Sequence, residues 1–236
     1  MNKLHIYKAI PNLFTIGSFI LGFSAINVAI FGKTKEAILF VILSAFLDLF
    51  DGKVARKLGV DGKFGAELDS FSDMISFGIA TSIIILFAID PKSSLLFVGA
   101  CFFSICCMLR LTRYNIHLDD DTSCKTYFTG VPTPAGFALA ILPLAFSYSF
   151  NNINISATFY SIYLIIIGFL MISILPTPSL KGLAISKKYF LLYLGLLSLL
   201  LIGLINYMWL AICVIGIGYI MSILLTIYID FKHKKN

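Results

Sequence analysis

A chain of 236 residues in which 59% are hydrophobic and only 13% are charged has too little polar surface to cover a water-soluble globule of its size, and its mean hydropathy of +0.95 places it in a bilayer. The net charge of +6 does not point to nucleic acid, because the basic residues are not gathered with aromatics into a stripe or groove. The five cysteines (Cys101, Cys106, Cys107, Cys124 and Cys213) show no paired metal-ligand spacing and read as small core residues.

Residues 1–9 mix Lys3, His5 and Lys8 with Leu4, Ile6 and Tyr7, which predicts a short amphipathic segment at the membrane interface, ending at Pro11. From there to the end, apolar runs close to the roughly 20 residues that cross hydrocarbon follow one another. They predict an all-α, polytopic helix bundle forming one domain, 10–236. About eight transmembrane helices are expected, at 10–31, 36–57, 66–89, 93–114, 132–150, 156–176, 187–205 and 207–229. The first run is longer than the apolar part of a cleavable signal and lacks a small-x-small exit, so it is read as a spanning helix.

An even number of spans puts both termini on one side. On that side fall 15 of the 18 Lys and Arg residues; Lys33, Lys35 and Lys92 fall on the other. The positive-inside rule therefore predicts a multi-pass protein of the cell (inner) membrane with both termini in the cytoplasm. In the last two spans, Tyr207 and Trp209 read as interface anchors, and Gly216 and Gly218 as helix-packing positions.

Spans two and three break the apolar pattern. Asp48, Asp51, Arg56, Glu67, Asp69 and Asp73 lie at or near the ends of two helices, where carboxylates are expensive and mark function. Asp48 and Asp51 are three apart and Asp69 and Asp73 four apart, so each pair projects from one helix face. Opposed across a short turn, the two faces bring four carboxylates together, and their mutual repulsion calls for cations. Oxygen ligands without nearby Cys or His select Mg²⁺, Mn²⁺ or Ca²⁺ over zinc. Two such metals form a clamp for phosphoryl transfer. Gly52 and Gly65 leave room for a phosphate to approach the backbone, and Arg56 adds a permanent cation that can hold a diphosphate oxygen.

Written out, the stretch Asp48-x2-Asp51-Gly52-x2-Ala55-Arg56-x8-Gly65-x3-Asp69-x3-Asp73 resembles the signature of the CDP-alcohol phosphotransferase family at all its defined positions. The resemblance implies that Asp48, Asp51, Asp69 and Asp73 bind metal. It implies two ions, Mg²⁺ or Mn²⁺, with Ca²⁺ as a non-productive occupant. It also implies that Gly52, Ala55, Arg56 and Gly65 seat the CDP moiety, and that Asp73 acts as general base beside Asp69. Asn12 and Thr15 resemble the family's first-helix motif and are expected on the cytidine side. A homodimer among membrane lipids is a further implication.

The stretches 73–80 (DMISFGIA), 109–115 (LRLTRYN) and 127–135 (YFTGVPTPA) resemble the family members that take CDP-diacylglycerol as donor and L-serine as acceptor, with 170–173 and 178–181 as weaker support. Thr81, Thr112, Tyr114 and Gly136 depart from the commoner residues. Arg110 and Arg113, three apart, and Asn115 are expected to receive the acceptor's carboxylate. Two arginines would also suit a phosphate, so glycerol 3-phosphate and inositol phosphate stay open as acceptors, as does an ether-linked lipid donor. A cation transporter built on the same aspartates is the alternative of another class, although its acidic residues would be spread along a pathway. Lys181 reads as a topology residue, His117 as no ligand, and Asp119, Asp120 and Asp121 as a solvated loop.

Overall fold

Pro11 does not end the first helix: α1 (Lys3–Ile30) runs through it without a break, so the separate segment expected before residue 10 is continuous with the first span. The computed structural model describes residues 3–59, 62–116, 127–150, 153–178 and 207–233. At Gly32 the chain takes φ +77°, a left-handed conformation that suits glycine, and the Gly32 and Lys33 amides close back on the carbonyls of Ala29 and Val28. That turn lets α2 (Thr34–Leu58) pack along α1.

The next rod joins α3 (Lys63–Asp73), one π-helical stretch (Met74–Ile79) and α4 (Ala80–Ile89). Then come α5 (Ser94–Ile116), α6 (Thr133–Ala140), α7 (Leu142–Ser149), α8 (Ala157–Ile172) and α9 (Met208–His233). The predicted span 132–150 is thus divided at Ile141, two residues before Pro143, whose missing amide cannot extend the ladder. Two short strands were not expected. β1 (Tyr127–Thr129) and β2 (Pro176–Pro178) pair antiparallel with Phe128 opposite Thr177, tying the approach to α6 to the exit of α8.

Among the described residues four stretches are long and apolar enough to cross a membrane: Ile10–Ile30, Lys63–Ile89, Ser94–Ile116 and Met208–Tyr228. Shorter apolar helices cover Thr133–Ser149 and Ala157–Ile172, and α2 carries the charges of the site. Helices thus occupy seven of the eight predicted spans; the seventh, 187–205, lies outside the described residues, as do His117, Asp119 to Asp121, Cys124 and Lys181.

The central rod is the most enclosed of the four, with 56% of its most apolar window buried. Phe77, Ala80 and Ile84 pack with Ala25, Ala29, Ile38 and Val41 of the α1–α2 pair. One residue on, Ile85 joins Phe103, Tyr160, Leu164 and Met171 of the α5–α8 pair. Small polar side chains share this apolar interior and large apolar ones cover the outside: Ser18, Ser44, Ser72 and Ser76 are buried, while Phe23, Leu43, Phe97, Ile166, Phe169 and Leu224 face outward. Cys106, Cys107 and Cys213 are buried and unpaired, as their core reading predicts.

Candidate active site

A seam of small polar residues fixes how α1, α2 and the central rod meet. Ser18 and Ser44 exchange hydrogen bonds, hydroxyl to hydroxyl at 2.7 Å and each hydroxyl to the other's carbonyl. Ser72 donates to the Thr15 carbonyl and Ser76 to the Ser18 carbonyl, at 3.2 and 3.3 Å. Gly22 lets the rod come closer still, because a Cβ there would stand 2.8 Å from Ser76 Cα. With the helices this near, one turn further along the side chains of α2 and α3 must meet.

They meet as carboxylates. Asp48, Asp51 and Asp69 each offer an oxygen, and the three oxygens lie within 4.8 Å of one another. Asp73 faces Asp48 and Asp69 closely enough to interact with both. Three of the four carboxylates expected to converge are thus gathered at one point, and Asp73 lies within electrostatic reach of two of them. Asp51 and Asp73 are 6% and 8% exposed, so water screens them little.

The oxygens are not equally provided for. Asp51 Oδ2 accepts the Thr15 hydroxyl at 2.8 Å, and Oδ1 accepts the Gly52 amide. Asp69 Oδ1 and Asp73 Oδ1 are buried without a hydrogen-bond partner among the described residues. Buried carboxylate oxygens left without a donor in an acidic cluster fit a hard divalent cation, which would supply the missing positive charge. The donor set and the orphaned oxygens thus agree.

The other predicted residues separate into groups. Asn12 lies across from the start of α3, its Oδ1 3.6 Å from where a Gly65 Cβ would be. Thr15 has its hydroxyl on Asp51 and the Pro11 carbonyl. Gly52, Ala55 and Arg56 follow Asp51 on α2, with the side chains of Ala55 and Arg56 outside the described residues.

The acceptor trio of α5 does not stay together. Arg113 donates to the carbonyls of Ile172, Met171 and Ser173 at 2.7, 3.4 and 3.3 Å, so it caps α8 instead of forming a forked pair with Arg110. Asn115 bonds Ser70 and Glu67, on the face of α3 turned away from Asp69 and Asp73. Those residues line a separate cavity of about 460 Å³ with Phe71, Met74, Met108 and Leu111. Only Arg110 of the three points to the aspartates, lying within electrostatic reach of Asp73 and donating from Nη1 to Thr133 Oγ1 at the start of α6. Thr133 was not singled out from the sequence; a lone threonine between two prolines carries no signal of a side-chain partner.

Fold and site together define a helical membrane protein with an acidic centre, built by side chains of α2 and α3, that could bind a metal ion. The chain belongs to the CDP-alcohol phosphatidyltransferase family, whose model matches residues 8–178. It is similar to the CDP-diacylglycerol–serine O-phosphatidyltransferase of Bacillus subtilis (strain 168), at 38% identity over 73% of this chain and 91% of that protein. It resembles the protein of the same description from Helicobacter pylori (strain ATCC 700392 / 26695) at 34% identity, over 86% of this chain and 84% of that one. The protein so described from Mycobacterium leprae (strain TN) is 29% identical over 92% of this chain and 73% of its own length.

Proposed function

We propose that the protein transfers the phosphatidyl group of CDP-diacylglycerol to the hydroxyl of L-serine, giving phosphatidylserine and CMP. The observation that carries this reading is the meeting of Asp48 and Asp51 from α2 with Asp69 and Asp73 from α3, on a chain of the CDP-alcohol phosphatidyltransferase family. The relatives reported above all carry serine in their names, which favours serine over glycerol 3-phosphate or inositol phosphate as acceptor.

Asp48, Asp51, Asp69 and Asp73 would hold two divalent ions, Mg²⁺ or Mn²⁺. When bound, such ions neutralise diphosphate charge and activate an attacking oxygen. The chain's own residues do the rest. Gly52, Ala55 and Gly65 leave space for the CDP moiety beside Asn12, and Arg56 offers a fixed cation to the departing phosphate. Asp73 takes the proton of the serine hydroxyl. The serine oxygen forms its bond to the phosphorus that bears the diacylglycerol, while the bond from that phosphorus to the CMP oxygen breaks and CMP leaves with the electron pair. The lipid tails stay among the apolar helix faces, and serine enters from the cytoplasm, a reading supported by the bias of Lys and Arg toward the side that carries the aspartates. One domain, working as a homodimer in the inner membrane, completes the reading.

Purified protein supplied with CDP-diacylglycerol, Mg²⁺ or Mn²⁺ and labelled serine is expected to release CMP and label the lipid, and to stop when the metal is chelated. Label incorporated from glycerol 3-phosphate or inositol phosphate but not from serine would overturn the acceptor. Undiminished turnover with chelator would overturn the metal.

A further inference from the structure

Three side chains of α5 are candidates to hold an acceptor's carboxylate, and two of them are committed elsewhere. Arg113 is spent on the carbonyls that end α8, and Asn115 on Ser70 and Glu67 across a different face of α3. Arg110 remains, half-buried, within electrostatic reach of Asp73.

Its partner sets its direction. Thr133 is wholly buried and stands between Pro132 and Pro134, whose fixed φ angles stiffen the first turn of α6. Just upstream, the amides of Gly130 and Val131 donate to the carbonyls of Leu175 and Leu170, so the segment that presents Thr133 is tied to the end of α8. With Nη1 on Thr133 Oγ1, the Nε–Nη2 edge of the guanidinium is not used by that bond, and Nε is buried with no hydrogen-bond partner among the described residues. That edge is one of the two on arginine that can fork onto a carboxylate. An unmet buried donor is costly until a ligand supplies the acceptor.

We infer that Thr133 is a positioning residue that holds Arg110 so that its free edge receives the carboxylate of the acceptor while the acceptor's hydroxyl sits at Asp73. The inference rests on the serine reading above. Serine carries hydroxyl and carboxylate on adjacent carbons, so one small molecule spans the two groups. Specificity for an amino acid then resides in the 131–134 segment as much as in α5.

The test is steady-state kinetics on the purified full chain with both substrates varied. Thr133→Val keeps the shape and removes the hydroxyl. It is expected to raise the KM for serine about tenfold, the scale of a hydrogen bond to a charged group, while leaving the KM for CDP-diacylglycerol and kcat within about twofold. Thr133→Ser is expected to restore the wild-type KM, and Thr133→Val is expected to add nothing on an Arg110→Lys background. A fall in kcat with the serine KM unchanged, a parallel rise in both KM values, or failure of Thr133→Ser to rescue would overturn the inference. If Thr133→Val does not accumulate, Arg110→Lys alone decides: it must raise the serine KM selectively, and an unchanged value overturns the role. Wild-type protein that releases no CMP with serine would instead overturn the acceptor reading, and this inference with it.

Discussion

Thr15 Oγ1 on α1 lies 2.8 Å from Asp51 Oδ2 on α2, inside a part of the bundle where Thr15 is only 4% exposed. The bond makes α1 part of the acidic centre although it contributes no carboxylate. It fixes which way the Asp51 carboxylate faces, leaving lone pairs on both oxygens for a cation. Thr15→Val is therefore expected to raise the Mg²⁺ concentration for half-maximal activity by about tenfold or more, the scale of losing an outer-shell partner, and Thr15→Ser is expected to recover it. A metal titration of activity measures this; an unchanged midpoint would remove Thr15 from the site.

Asp69 and Asp73 each leave one buried oxygen unpartnered among the described residues, so replacing either by Asn keeps the volume and removes charge. Each variant is expected to lose at least about a hundredfold in turnover, the lower range for a lost general base, while still inserting. In metal-free buffer both are expected to melt no lower than wild type, because like charges at low dielectric have been thinned. Divalent metal is expected to raise the Tm of wild type and to raise that of the variants less. Thermal melts with and without Mg²⁺ check this, and an equal metal-induced shift in all three proteins would contradict it.

The acidic pairs were legible because a carboxylate in an apolar helix is conspicuous and a spacing of three or four fixes its face. Helices fill seven of the predicted segments, and four stretches are long and apolar enough to cross a membrane, because hydrocarbon demands long apolar runs. The fates of Arg110 and Arg113 were not legible. Both leave the same end of α5, and only the position of the α8 C-terminus, about 60 residues on in sequence, decides which one caps carbonyls. The serine seam was hidden too, since single serines in apolar helices read as neutral until their carbonyl partners are known. Pro11 misled because a proline that removes one amide is taken for a stop, while the helix on both sides of it continues.

Arg113 and Arg110 predict opposite phenotypes. With three main-chain carbonyls as partners, Arg113→Met is expected to destabilise the fold by about 1.5–3 kcal/mol, since the end of α8 loses a charged donor. The serine KM of the protein that remains folded is expected to match wild type. Detergent-phase thermal melts and kinetics on the same preparation separate the two effects. A selective rise in serine KM in Arg113→Met would return Arg113 to the acceptor pocket.

Gly22 tests whether the geometry of the seam sets the geometry of the site. A methyl at this position would lie 2.1 Å from Ser76 Oγ and 2.8 Å from Ser76 Cα. The hydroxyl can rotate away, but the backbone cannot, so the central rod must move outward from α1. Such overpacking costs about 1–3 kcal/mol, and the movement also carries Asp69 and Asp73 away from Asp48. Gly22→Ala is accordingly expected to lower Tm and turnover together and to weaken the apparent affinity for Mg²⁺, although no metal-facing atom has changed. Ser76→Gly, which removes the side chain but not the backbone contact, is expected to restore only part of each. Complete rescue by Ser76→Gly would show that the clash lies in the hydroxyl alone and that the helix spacing does not govern the centre.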